Sequence, residues 1–377
     1  MRSKNKVLFL TNDFPPAEGG METCAFEISS ELQKRGYDLK IITSATKCKS
    51  DINSSNPQRI SPPRNYFIKI LFIFFYLLKA SIKFKQDFIY LNTWSPFGLP
   101  AVIISKIFKS PLYLTCHGLD IVEPRKSAFH MRIMRFVFKS AAKIICVSNY
   151  TGNLAKENIP EISDKIRIIN NGVNINKFKP LDSADARNRL KIDQNAFILL
   201  TVSRITPRKG HIHIINNLQK LIETIPEIKY VIAGRGVTDE ILKKEVFEKK
   251  LESEVLFTGF VKDEELIYYY NACDLFIMLS EEIIETGDIE GFGVSYLEAN
   301  ACGKPAIALN RAGAADAVIT GVNGYLINNP SDFTDIVLRL HSSRNELTDI
   351  GFKSLDYARK KCSWQNRVDE YIKVFSE

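Results

Sequence analysis

The chain has 377 residues, 45% hydrophobic and 25% charged, which suits two domains with separate cores and excludes disordered, collagen-like and coiled-coil classes. The net charge of +8 hides an imbalance: residues 1–180 hold 27 Lys/Arg against 13 Asp/Glu (+14), and residues 181–377 hold 24 against 30 (−6). Seven scattered cysteines with no C-x-x-C pair argue against a disulfide scaffold or zinc module and for a reducing compartment.

The first apolar run, residues 7–10, is too short for a signal peptide and reads as a buried strand at 7–11. The loop after it ends in Gly19 and Gly20, ahead of a helix expected at 21–35. Paired glycines there let the backbone approach a phosphate whose charge the helix N-terminus favours, although a tight strand-to-helix turn needs them equally. Further strands are expected at 39–43, 88–91, 112–115, 143–147 and 166–169. The stretch 66–78 is the longest apolar one, but Lys69 interrupts it. A spanning helix needs about 18 or more apolar residues, so a soluble or surface-attached chain is expected. His117, after the strand at 112–115, can donate to a sugar hydroxyl or orient a backbone carbonyl near a reacting carbon; a structural loop histidine is the plainer reading. Residues 66–84 mix apolar side chains with Lys69, Lys79 and Lys83, and residues 125–143 do so with Arg125, Lys126, Arg132, Arg135, Lys139 and Lys143. Such mixtures suit an anionic membrane leaflet, or ordinary helices with solvated charges.

In the second half, strands are expected at 197–202, 229–233, 255–258, 275–279 and 306–309, with helices at 212–224, 239–250 and 263–272. The alternation implies α/β architecture: two Rossmann-like domains with parallel sheets, divided near 174–195 into residues 1–180 and 181–377. Open sheets of this kind bind ligands at the carboxyl ends of their strands, and a ligand held by both domains would lie in the cleft between them. The final helix is free to pack back on the first domain.

After the strand at 197–202 come Arg204, Arg208 and Lys209, three cations in six residues and a candidate diphosphate clamp. The acidic second half and the lack of interleaved aromatics argue against nucleic acid. Gly234 and Gly236 supply only part of a dinucleotide fingerprint, and no Walker sequence is present. The most informative segment runs from Glu290 to Pro305: two acids, Glu290 and Glu298, bracket a Gly-x-Gly turn that should open a helix. Backbone N–H groups of Phe292, Gly293 and Val294 would face an anion. Glu298 can take the vicinal hydroxyls of a ribose, and Glu290 those of a hexose. A helix cap with two surface acids is the bland alternative.

These residues together resemble the retaining glycosyltransferases of family 4, with the GT-B fold of two Rossmann-like domains facing across a cleft. The resemblance covers nearly the whole chain. It rests on Phe14-Pro15-Pro16 with Gly19-Gly20-Met21-Glu22, His117-Gly118, Asn171-Gly172-Val173, Arg204 with Lys209, Glu290 with Glu298, and Asn323-Gly324. It implies that Gly19 and Gly20 approach the donor diphosphate, that Arg204 and Lys209 hold it as it leaves, and that Phe292, Gly293 and Val294 add N–H groups. It further implies that Glu298 binds the nucleotide ribose, Glu290 the transferred sugar, and that His117 lies near the anomeric carbon. No cofactor or metal is expected. Residues 287–293 and 313–318 look most like mannosyltransferases, which favours GDP-mannose over a UDP-sugar as donor. A glycan or lipid-linked acceptor follows, in bacterial polysaccharide or lipopolysaccharide assembly, with the enzyme cytoplasmic and peripheral on the inner face of the cell membrane. A UDP-sugar-dependent transferase, a soluble disaccharide synthase, a sugar-nucleotide epimerase on the same fold and a catalytically idle nucleotide-sugar-binding scaffold are the rival readings. The oligomeric state is left open.

Overall fold

A computed structural model describes residues 5–17, 19–44, 57–283 and 287–377. These divide into two compact units: Met1–Asn171 with Trp364–Glu377, and Gly172–Ser363.

The first unit begins β1 (Lys6–Thr11), α1 (Gly20–Lys34), β2 (Asp38–Ser44), β3 (Gln58–Ile60) and α2 (Tyr66–Phe84). It continues β4 (Phe88–Leu91), α3 (Gly98–Phe108), β5 (Leu112–Cys116), α4 (Leu119–Val122) and α5 (Ala128–Ser140). β6 (Lys143–Cys146), α6 (Asn149–Asn158) and β7 (Ile166–Ile168) complete its sheet. Strands such as β1, with Val7 to Leu10 fully buried, carry no polar alternation because helices cover both sheet faces. The seven strands are parallel in the order β3-β2-β1-β4-β5-β6-β7, so the strand order reverses between β1 and β4.

The second unit runs α7 (Ser183–Leu190), β8 (Phe197–Val202), α8 (His211–Ile222), β9 (Ile228–Ala233), α9 (Asp239–Glu248), β10 (Val255–Gly259) and α10 (Leu266–Ala272). Then come β11 (Leu275–Met278), α11 (Val294–Ala301), β12 (Ala306–Leu309), α12 (Ala314–Ala317), β13 (Gly324–Ile327), α13 (Phe333–Ser342) and α14 (Arg344–Lys361). Its six parallel strands lie in the order β10-β9-β8-β11-β12-β13, and the reversal falls between β8 and β11. Both units are thus open, doubly wound sheets, the α/β class expected, with a binding crevice at the carboxyl edge beside each reversal.

Residues 172–180, grouped with the first domain by the sequence, belong to the second unit. Val173 bridges to Ser363, and the Phe178 ring meets Tyr270 edge-on at 5.5 Å. The last helix, α15 (Trp364–Phe375), returns to the first unit: Trp364, Val368, Tyr371 and Val374 join the core of Val7, Phe9, Cys24 and Ile28. Arg35 Nε reaches Asp369 at 2.9 Å across the same seam. No helix among the described residues is long and apolar enough to cross a membrane.

Candidate active site

In the first unit the expected residues lie on loops at the carboxyl edge of the sheet, after β1 and β5. Gly20 opens α1, and a Cβ built there meets nothing within 4 Å, so open space lies before the helix's first turn. The loop after β4 ties this turn to His117: Asn92 Nδ2 donates to Met21 O (3.3 Å), and the His117 ring meets Asn92 O through Nε2 (2.9 Å). A carbonyl only accepts, so Nε2 carries the proton. Burial holds the imidazole neutral, with its pKa lowered to about 4 against the opposing pull of Asn92 O. With Nε2 on the Asn92 carbonyl, Nδ1 is the ring nitrogen left to meet a hydroxyl, as an acceptor. Asp120 fixes the same loop, accepting from His117 N at 3.0 Å and Gly118 N at 2.8 Å through Oδ1. Burial raises its pKa to about 6, against those N–H bonds.

In the second unit the expected residues gather where β8 and β11 diverge. The loop after β8 carries the cations, and a buried chain anchors its start: Ser203 Oγ to His211 Nε2 (3.1 Å), then His211 Nδ1 to the Tyr230 hydroxyl (2.9 Å). Lys209 Nζ and Arg208 Nη1 both donate to Glu290 Oε2, at 2.5 and 2.8 Å, and Ser280 Oγ adds a third bond at 3.2 Å. Arg208 Nε also lies 2.8 Å from Asp288 Oδ1. Burial works to raise the Glu290 pKa, but the charges of Lys209 and Arg208 prevail and hold it below the usual carboxylate range. Burial lowers the Lys209 pKa in turn, helped by Arg208 and Arg204 and opposed by Glu290. Three donors converge on Oε2, so Glu290 keeps Oε1 as its acceptor without a partner among the described residues. Arg204 is exposed and has no ion pair among the described residues.

The turn from Gly291 to Gly293 then launches α11. Gly293 adopts φ +90°, and a Cβ there would lie 2.5 Å from the Tyr296 ring, so only glycine fits without strain. Among the described residues the N–H groups of Phe292, Gly293 and Val294 have no hydrogen-bond partner, leaving a helix start open to an anion. Glu298 lies further along α11, half-buried, with Oε2 accepting from the Tyr270 hydroxyl at 2.6 Å. Burial raises its pKa, partly offset by Tyr270 and Lys177.

The structure thus gathers Lys209 and Glu290, with Arg204 near enough to act on Lys209, and sets Phe292–Val294 and Glu298 on the same turn and helix. Gly19, Gly20 and His117 lie in the other unit. The sequence sets Arg208 in the clamp with Arg204 and Lys209, whereas the structure commits it to Asp288 and Glu290; Asn92, Asp120, Ser280 and Tyr270 carry no role in the sequence reading. Asn92 was findable as a polar residue at a strand's carboxyl end; Tyr270 sits in an aromatic run that reads as core.

Residues 18–177 match the model of Glycosyltransferase Family 4, and residues 182–353 that of Glycosyl transferases group 1. The GDP-mannose-dependent alpha-(1-6)-phosphatidylinositol monomannoside mannosyltransferase of Mycolicibacterium smegmatis is 23% identical over 378 residues, covering 98% of each chain. Alpha-monoglucosyldiacylglycerol synthase of Streptococcus pneumoniae is 23% identical over 386 residues, 97% of this chain and 85% of that one. The structure of HepE from Anabaena in complex with UDP and glucose matches with a TM-score of 0.79 at 22% identity, covering 98% of this chain and 99% of that one. That likeness gives the fold: two Rossmann-like units of the GT-B type. Matched in both halves by glycosyltransferase models, the chain joins a Glycosyltransferase Family 4 domain to a Glycosyl transferases group 1 domain and is a transferase with the GT-B fold.

Proposed function

We propose that this enzyme moves a hexose, mannose in the first instance, from GDP-mannose to a lipid-linked glycan with retention of anomeric configuration. The observation that carries the reading is the group at the β8/β11 reversal. Exposed Arg204 and buried Lys209 stand by an unpartnered helix start, with a carboxylate that keeps one free acceptor oxygen.

Breaking the anomeric C–O bond leaves negative charge on the diphosphate. Arg204, Lys209 and the N–H groups of Phe292, Gly293 and Val294 are the groups that would offset it, each such donor being worth roughly 10²–10³ in rate. The reading gives that task to these cations and to no metal ion. Glu290 Oε1 accepts from a hydroxyl of the transferred sugar, and Glu298 from the ribose. Gly19, Gly20 and His117 take the roles the resemblance gives them, at the diphosphate and the sugar. The acceptor hydroxyl forms the new bond to the anomeric carbon as the old one breaks, and its proton passes to a departing phosphate oxygen.

The named mannosyltransferase relative supports GDP-mannose, and the acidic-poor first half supports a membrane-borne acceptor. We place the work in bacterial polysaccharide or lipopolysaccharide assembly, with the enzyme peripheral on the inner face of the cell membrane. Turnover with GDP-mannose, UDP-glucose and UDP-N-acetylglucosamine, using a polyprenyl-linked glycan acceptor, tests this. Consumption of GDP-mannose with an α-linked product is expected. Exclusive use of a UDP-sugar, inversion at the anomeric carbon, or interconversion of donors without transfer would each overturn it.

A further inference from the structure

Surface helices normally present a polar face to water. α2 does not. Its inner face buries Ile73, Leu77 and Ala80, while Phe67 (69% exposed), Ile68, Leu71, Phe72, Phe75 (62% exposed) and Ile82 follow the helical period outward. α3 packs against both α2 and α5. The exposed Ile103 and Ile107 of α3 and Phe129 and Phe136 of α5 extend the apolar surface. The N-terminal ends of α2 and α5 meet through rings: Phe129 lies 5.8 Å from Tyr66 and 6.3 Å from Phe67.

The charge on these helices is one-signed. Across their 19, 11 and 13 residues there is no Asp or Glu, in a chain that holds 43 acids in 377 residues. Their cations are Lys69, Lys79, Lys83, Lys106, Arg132, Arg135 and Lys139. Among the described residues one acid pairs with the group from outside, Glu161, which meets Lys139 at the C-terminal end of α5.

We infer that α2, α3 and α5 form a bilayer-insertion surface: the apolar side chains of α2 and the start of α5 enter the acyl region, and the flanking cations meet anionic headgroups. The inference rests on the peripheral reading above and adds the surface and the mode of attachment. Apolar residues flanked by lysine and arginine, which keep their charged ends in the headgroup layer, match an anionic leaflet in both chemistry and depth. A second copy of the chain fits poorly. A two-fold interface apposes the same patch on both partners, which would set these cations against themselves with no acid on the three helices to answer them.

The test compares the full-length protein with the double variants F67S/F75S and K79E/K83E, all at exposed positions. Co-sedimentation uses vesicles of phosphatidylcholine alone and of phosphatidylcholine mixed with phosphatidylglycerol. The wild type should prefer the anionic vesicles. F67S/F75S should weaken that binding by about tenfold or more, and K79E/K83E by about fivefold or more, with affinity for GDP unchanged in both. In addition, the indole of an F75W variant should be quenched by lipids brominated on their acyl chains. Wild-type binding that both double variants retain, or an unquenched indole, would overturn this surface while leaving peripheral attachment standing. A wild type that ignores every vesicle would overturn the peripheral reading itself. Loss of a dimer in F67S/F75S with vesicle binding intact would assign the face to a second copy instead.

Discussion

At the scale of single residues, the site separates cations that are committed from one that is free. Arg208 is spent on Asp288 and Glu290, whereas Arg204 is exposed and without an ion pair among the described residues. The loop 203–210 shows three cations in a row of letters; which of them is neutralised depends on Glu290, some eighty residues away, and no local pattern encodes that. Lys209→Ala should lower kcat by about 10²–10³, read in steady-state turnover, if its charge offsets the leaving diphosphate as proposed. Tyr270→Phe should act differently. It frees Glu298 Oε2 from its hydroxyl partner and should raise the donor KM by about tenfold with little change in kcat, as expected when a hydrogen bond to a charged group is lost. Equal KM values for wild type and variant would deny Tyr270 a part in positioning Glu298.

Buried histidines at the same scale set a pH dependence of stability. Burial lowers His117 to about 4 and, with a smaller push from Lys209, His211 to about 3. Both bind protons more weakly folded than unfolded, so their contribution is full above the ordinary value of 6.5 and declines as pH falls toward 4. Asp120, raised by burial from 3.8 to about 6, works the other way across that window and offsets part of the loss. The melting temperature should therefore fall on acidification from neutrality, with a shallower slope in His211→Gln than in wild type. An unchanged slope would mean that His211 is not held neutral in the fold.

Among elements, the apolar runs were the legible part of the sequence. Strands expected at 7–11, 39–43, 197–202 and 306–309 correspond to β1, β2, β8 and β12, since both-face burial leaves no alternation to confuse the reading. β3 was missed because Gln58-Arg59-Ile60 is short, polar and at the sheet's edge, and β13 because it opens on Gly324. That glycine is required by packing: a Cβ there would lie 2.0 Å from Ala306 O. The turn into α11 was also legible, because Gly-x-Gly before a helix has few uses. Gly293→Ala forces a side chain into φ +90° and against Tyr296, at a cost of roughly 1–3 kcal/mol. Both a lower melting temperature and weaker GDP binding should follow. Retained affinity despite lost stability would remove the α11 start from the donor site. The roles of Asn92 and Asp120 were illegible for the opposite reason: Asn92 meets the His117 ring through its own carbonyl and Met21 O through its amide, and Asp120 takes the N–H groups of His117 and Gly118 in its own loop, bonds to main-chain atoms that no side-chain motif records.

For the molecule as a whole, the chain doubles back. α15 supplies Trp364, Val368, Tyr371 and Val374 to a core made by the first half, so the sequence order of the two domains is not their order of completion. Trp364→Ala should cost about 3–5 kcal/mol, measured by denaturant unfolding, as truncation of a fully buried aromatic does. The amphipathic pattern of residues 364–375 alone could not say which core it serves. The charge imbalance between halves was visible at once, yet its meaning lay in the grouping of α2, α3 and α5, where acids are absent.

If the second unit holds a nucleotide-diphosphate sugar at the β8/β11 reversal, calorimetric titration of GDP-mannose into the full-length protein and its Glu298→Ala variant should show it. Saturable one-to-one binding is expected, weakened by about tenfold or more in the variant. Identical isotherms for the two proteins, or no heat of binding in the wild type, would contradict it.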